Sequence, residues 1–119
     1  MAGMRVVTEA TLEKNFCKWC KEQDIIPIKG PVAQSKGFPD RFVQLPNGGG
    51  TIYVEFKGTS NYDLTPMQRW WGEYLKNSNP NRYFTVSTPE ELNTLKQRCL
   101  EFIAIGDPLV SYETKLLAE

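Results

Sequence analysis

The stretch from Arg41 to Lys57 leaves this chain the fewest choices. RFVQL (residues 41–45) and TIYVEFK (51–57) both alternate in polarity, and PNGGG (46–50) between them is a dense cluster of turn-forming residues. Two such runs predict an antiparallel hairpin with one face buried, so the fold must contain a sheet and apolar elements that cover it. On the second strand Ile52, Val54 and Phe56 point to one face, while Thr51, Tyr53, Glu55 and Lys57 point to the other. With Pro46 set opposite Thr51, Leu45 faces Ile52, Val43 faces Val54, Phe42 faces Glu55 and Asp40 faces Lys57, which joins apolar with apolar on the core side. Directly opposed residues lie about 4.5–5.5 Å apart and diagonal ones about 7–8 Å apart, so this register lets one metal ion reach both Asp40 and Glu55.

The remaining elements are punctuated by three similar start signals. Thr8 caps a first helix that runs to about Glu22, with Leu12, Phe16, Trp19 and Cys20 as its apolar stripe and Glu9 on the same sector as Phe16 and Cys20. Thr65-Pro66-Met67-Gln68 opens a second helix, whose buried side is expected to use Met67, Trp70, Trp71, Tyr74 and Leu75. Thr88-Pro89 opens a third, carrying Leu92, Leu95, Cys99 and Phe102 and stopped by Gly106-Asp107-Pro108. Asp24–Lys29 reads as a short edge strand interrupted by Pro27, and Arg82–Ser87 as a further strand. The order helix, strand, hairpin, helix, strand, helix predicts one α/β domain over residues 1–119, with helices packed on a mixed sheet. Leu109–Glu119 is a short amphipathic stretch that reads as either a frayed tail or a partner contact.

Composition narrows the chemistry. There is no histidine in the 119 residues, which excludes a His-Asn-His nuclease, a phosphohistidine mechanism, a histidine-zinc site and a serine-histidine triad. Three cysteines, two of them in Cys17-x-x-Cys20, fall on helical stripes and read as core thiols rather than a redox or zinc site. With no signal-like stretch after Met1 and no long apolar segment, a reducing, cytoplasmic location and no membrane are expected. The formal charge is zero but uneven: Met1–Thr85 holds eleven Lys or Arg against eight acids, and Val86–Glu119 three against six. A polyanionic partner therefore remains open. Two acids and a lysine on one patch suit metal-assisted hydrolysis of a phosphodiester, with oxygen ligands for Mg²⁺ or Mn²⁺ and an ammonium for the anionic transition state.

Gly37-Phe38-Pro39-Asp40 followed by Glu55-Phe56-Lys57 resembles the PD-(D/E)xK nuclease signature. Together with Thr8-Glu9-Ala10-Thr11-Leu12-Glu13, the Trp19 stripe, Glu55–Gly58 and Leu64–Trp71, the pattern is similar to the VRR-NUC branch, the virus-type replication-repair nucleases, over roughly residues 8–95. The resemblance implies a restriction-endonuclease-like mixed sheet flanked by helices. It implies that Asp40, Glu55 and the main-chain carbonyl of Phe56 hold Mg²⁺ or Mn²⁺, and that Lys57 contacts the attacking water and the scissile phosphate. Glu9 would reach the site from the first helix and Gln68 from the second; Glu13 stands where a glutamine is common, so either Glu9 or Glu13 supplies the helix acid. Lys36, Arg41 and Arg69 would track the DNA backbone. Stand-alone members cut branched DNA, four-way junctions included, as homodimers, for which the second helix or the residues after 105 offer a contact. The rival readings are a nuclease for flaps, linear ends or single strands, a non-catalytic DNA-binding module of the same fold, and a protein-interaction adaptor.

Overall fold

The computed structural model describes residues 7–30, 37–58 and 64–106. Seven elements follow in the expected order: α1 (Glu9–Glu22), β1 (Pro27–Lys29), β2 (Arg41–Leu45), β3 (Gly50–Phe56), α2 (Pro66–Ser78), β4 (Tyr83–Val86) and α3 (Pro89–Ile105). The strands form one mixed sheet in the order β1-β2-β3-β4, antiparallel at the first two junctions and parallel at β3-β4, where α2 makes the crossover. Each helix begins as its sequence requires. Thr8, Thr65 and Thr88 sit extended and accept a hydrogen bond from the N–H three residues on, and Pro66 and Pro89 occupy first-turn positions where no N–H is needed.

One face of the sheet makes the core. Val43, Leu45, Ile52, Val54, Phe56 and Val86 pack with Leu12, Phe16 and Cys20 of α1 and Leu92, Leu95 and Cys99 of α3. Phe16 and Phe56 are fully buried with ring centroids 5.8 Å apart, and burying a side chain of this size stabilises by about 2–3 kcal/mol. Because strand residues alternate, anchoring Phe56 in this core turns Glu55 and Lys57 to the opposite face. Cys17, Cys20 and Cys99 are free thiols, and burial pushes Cys20 and Cys99 up to about 12, which makes them inert core residues.

The hairpin register differs from the expectation by two residues. Leu45 pairs with Gly50, Val43 with Ile52, Phe42 with Tyr53 and Arg41 with Val54. A two-residue slip keeps every side chain on its own face, so the hydrophobic pattern cannot distinguish the two registers. The turn does. Asn47 and Gly48 both take positive φ within a loop over residues 46–49, and Asn47 Nδ2 donates 2.7 Å to the carbonyl of Ile103 at the end of α3. Arg82 adds a hydrogen bond to the Gly49 carbonyl while its guanidinium lies 3.7 Å from the Phe102 ring centre.

α2 also turns a different face to the sheet than its hydrophobicity predicts. Its buried residues are Gly72 and Leu75, with Trp71 half-buried, whereas Met67, Trp70 and Tyr74 are exposed. The helix approaches the sheet through Gly72, where an added Cβ would lie 3.1 Å from the Tyr83 hydroxyl. That contact rotates the large side chains to the flank of the helix. No helix among the described residues is long and apolar enough to cross a membrane.

Replacing Arg82 with Ala removes both the turn hydrogen bond and the cation over Phe102. The expected cost is about 1–3 kcal/mol, read as a fall in thermal midpoint of roughly 5–15 °C; an unchanged midpoint would show that the turn holds its place without α3.

Candidate active site

Continuing the β2-β3 pairing by one residue sets Asp40 opposite Glu55, on the face away from the main core. The backbone of Asp40 is fixed first: its carbonyl accepts from Gly30 N–H at 2.9 Å, extending the β1-β2 pairing. Its carboxylate Oδ2 then accepts from Phe56 N–H at 2.8 Å. The preceding Gly37 has φ of +85°, and a Cβ there would fall 2.6 Å from Met67, so the loop before Asp40 lies directly against the start of α2. Phe38 closes the same contact, edge-on to Trp71 at 5.0 Å and to Tyr53 at 6.1 Å.

Glu55 is 2% exposed and Lys57 7%. Gln68 Nε2 donates to Glu55 Oε1 at 2.9 Å, while Gln68 Oε1 accepts from Thr65 N–H at 2.9 Å. The capping box and the contact to the site are thus made by opposite ends of one amide. Thr65, which carries no chemistry of its own, fixes which end faces Glu55; the T-x-x-Q spacing holds that information, but a helix-start signal does not by itself point to a site.

The carboxyls of Asp40 and Glu55 act on each other, and their interaction raises Glu55 and lowers Asp40, so a proton between them favours Glu55. Burial, then the charge of Asp40, pushes Glu55 up to about 8, against the opposing pull of the Lys57 ammonium. Asp40 is also raised by burial, with the Phe56 N–H opposing and the charges of Glu13 and Glu9 adding to the rise. Glu9 is exposed in the first turn of α1 and acts on both carboxyls, whereas Glu13 is committed to Arg41, with Oε2 2.6 Å from its Nε. Arg41 also donates to the Pro27 carbonyl at 3.1 Å, so its guanidinium ties α1 to β1 rather than standing free for a phosphate. Arg69 is exposed on α2, and Lys36 lies outside the described residues.

The donor set suits a hard divalent cation. Among the described residues no three His, Cys, Asp or Glu groups converge, so the acidic oxygens on offer here are those of Asp40 and Glu55. Lys57 N–H bonds to Val86 O on β4, so the Phe56 carbonyl of that same peptide points the other way, toward Asp40. Mg²⁺ is commonly held by one or two carboxylates, with waters and phosphate oxygens completing its shell. A buried and a half-buried acid set side by side are an electrostatic deficit that such a cation would offset. No protein-family model matches this chain, and no curated protein matches it.

The raised carboxyls set a sign for stability against pH. Glu55 binds its proton more tightly in the fold, at about 8, than at its ordinary 4.5, so this contribution to stability is complete below about pH 4.5 and is lost as pH rises through 8. In EDTA the thermal midpoint is expected to fall by at least about 5 °C between pH 5 and pH 8.5. Glu55→Gln flattens that slope; a wild-type profile that is already flat would show that Glu55 does not keep its proton in the fold.

Proposed function

We propose that this chain is a Mg²⁺- or Mn²⁺-dependent DNA endonuclease of the PD-(D/E)xK kind, with the restriction-endonuclease-like arrangement that the VRR-NUC resemblance implies. The observation that carries the reading is the meeting of half-buried Asp40 with buried Glu55, whose charges oppose each other, with buried Lys57 and Gln68 beside them. A structural ion pair would need one carboxylate, not two whose charges oppose each other.

Asp40, Glu55 and the Phe56 carbonyl would hold the cation, which supplies positive charge against the phosphate and lowers the pKa of water at the site. The work of the chain's own groups then divides clearly. Gln68 Nε2 holds one Glu55 oxygen, so that the carboxylate does not rotate when its proton leaves. Phe56 N–H does the same for Asp40. Lys57, tethered on a core strand, places its ammonium beside Glu55, where it contacts the attacking water and the anionic oxygens of the phosphate as charge develops. Glu9, exposed at the edge of the centre, adds negative charge that raises Glu55 and would draw a cation as it draws the proton. Arg69 and Lys36 remain the candidates for the flanking phosphates. The preferred substrate is branched DNA, cut in both strands by a homodimer with one centre per copy in the cytoplasm.

Single-turnover cleavage of a labelled four-way junction, the matching duplex and a single strand tests this. Wild type is expected to cut with Mg²⁺ or Mn²⁺ and not in EDTA, with paired nicks in the junction. Asp40→Asn and Lys57→Ala each reduce the rate at least about 100-fold. No cutting with tight binding retained would make the chain a DNA-binding module; no binding at all would favour a protein adaptor. Monomeric protein at micromolar concentration that still nicks symmetrically would remove the dimer.

Cation binding has a readout apart from activity. Added Mn²⁺ is expected to raise the thermal midpoint more at pH 8 than at pH 5, because it binds the ionised pair and competes with the proton. An equal rise at both pH values, or in Asp40→Asn, would place the ion elsewhere.

A further inference from the structure

α2 carries more aromatic surface than its packing uses. Trp70 is 54% exposed and Tyr74 53%, with Met67 beside them at 47%. The two rings are nevertheless ordered: they lie parallel within 8°, their centroids 5.6 Å apart. Both stand edge-on to Trp71, at 5.1 and 6.0 Å, and Trp71 stands edge-on to Phe38. Phe38 is two residues before Asp40, and Gln68 on the same helix touches Glu55. The exposed pair is therefore propped by the same aromatic chain that seats the loop carrying Asp40.

Its surroundings suit a polyanion that carries flat rings. Arg69 is exposed next to Trp70, Lys76 reaches over the Tyr83 ring at 5.6 Å, Glu73 is the one acid of the helix, and its first turn contains none. A second copy of the chain fits less well. Three half-exposed side chains offer on the order of 300 Å², against about 800 Å² per partner in a stable interface.

We propose that Trp70 and Tyr74 form a stacking site for an unpaired nucleobase of DNA engaged at the Asp40–Glu55 centre. The location beside a reacting phosphate rests on the nuclease reading; the stacking itself does not require cleavage. A base within a duplex has both faces covered by its neighbours, whereas a base at a branch, flap or single strand has a face to offer. The ledge would select DNA with unpaired bases beside the scissile phosphate, a preference that the metal site cannot supply because every phosphodiester presents it with the same group.

The test is anisotropy of a labelled oligothymidylate and of an abasic sugar-phosphate strand, each about twelve nucleotides long, in EDTA so that no strand is cut. Wild type is expected to bind the base-bearing strand on the order of tenfold more tightly than the abasic one. Trp70→Ala and Tyr74→Ala each lower that ratio, the double variant brings it to about one, and Tyr74→Phe, which keeps the ring, retains it. Equal affinity of wild type for the two strands overturns the proposal, as does a ratio that survives in the double variant. A change from dimer to monomer in the variants, with the ratio intact, assigns the ledge to a second copy instead. If Asp40→Asn still cleaves while the base preference depends on Trp70 and Tyr74, the nuclease reading of the carboxylates fails and the stacking site stands.

Discussion

The hydrogen bond from Phe56 N–H to the Asp40 carboxylate joins two parts of the chain that have no other reason to meet at that point. It forms only in the register in which Arg41 pairs with Val54, because there the next residue of β2 comes level with Glu55. Shifted by two, the same strands bury the same apolar residues, but Asp40 comes level with Lys57 and a simple ion pair results. The difference between a site of two repelling carboxyls and a neutral surface pair is thus decided at the other end of the hairpin, where Asn47 and Arg82 tie the turn to the last turn of α3. Stability at the turn end is what permits electrostatic tension at the Asp40 end.

That tension is held by neighbours whose roles differ. Desolvation raises both Asp40 and Glu55, and each negative charge near them, from Glu9 and Glu13, adds to the strain. Lys57 opposes it but is one cation against several acids. Arg41 partners Glu13 through a 2.6 Å contact, whereas among the described residues no ion pair to Glu9 is seen. A centre built this way gains from a bound proton, and under the proposed function a cation would compete with it.

Much of this was legible in the sequence because local chemistry dictated it. Thr8, Thr65 and Thr88 each start a helix, Gly106 ends the third, and the alternation of β2 and β3 places Asp40, Glu55 and Lys57 on one face. The register was not legible, since a slip of two preserves alternation and the loop keeps four residues either way; only α3, distant in sequence, breaks the tie. The role of Arg41 was also hidden, because nothing local tells a guanidinium that it will meet Glu13, 28 residues earlier. The buried face of α2 was misjudged for a related reason. Hydrophobicity places Met67, Trp70 and Tyr74 inward, but the closest approach of a helix to a sheet is set by its smallest residue, and Gly72 faces Tyr83.

The rotation of α2 about Gly72 explains how so small a helix serves two surfaces. Had the tryptophans packed inward, the helix axis would stand farther from the sheet, and the Gln68 amide, whose reach is set by the Thr65 cap, would no longer meet Glu55 at 2.9 Å. Close packing through glycine brings the amide in and turns Trp70 and Tyr74 out in the same movement. A larger residue at position 72 would be felt at both places: the Cβ of alanine already reaches 3.1 Å from the Tyr83 hydroxyl. The exposed aromatic pair and the oriented carboxylate are therefore two consequences of one contact, and neither can be altered by moving the helix without disturbing the other.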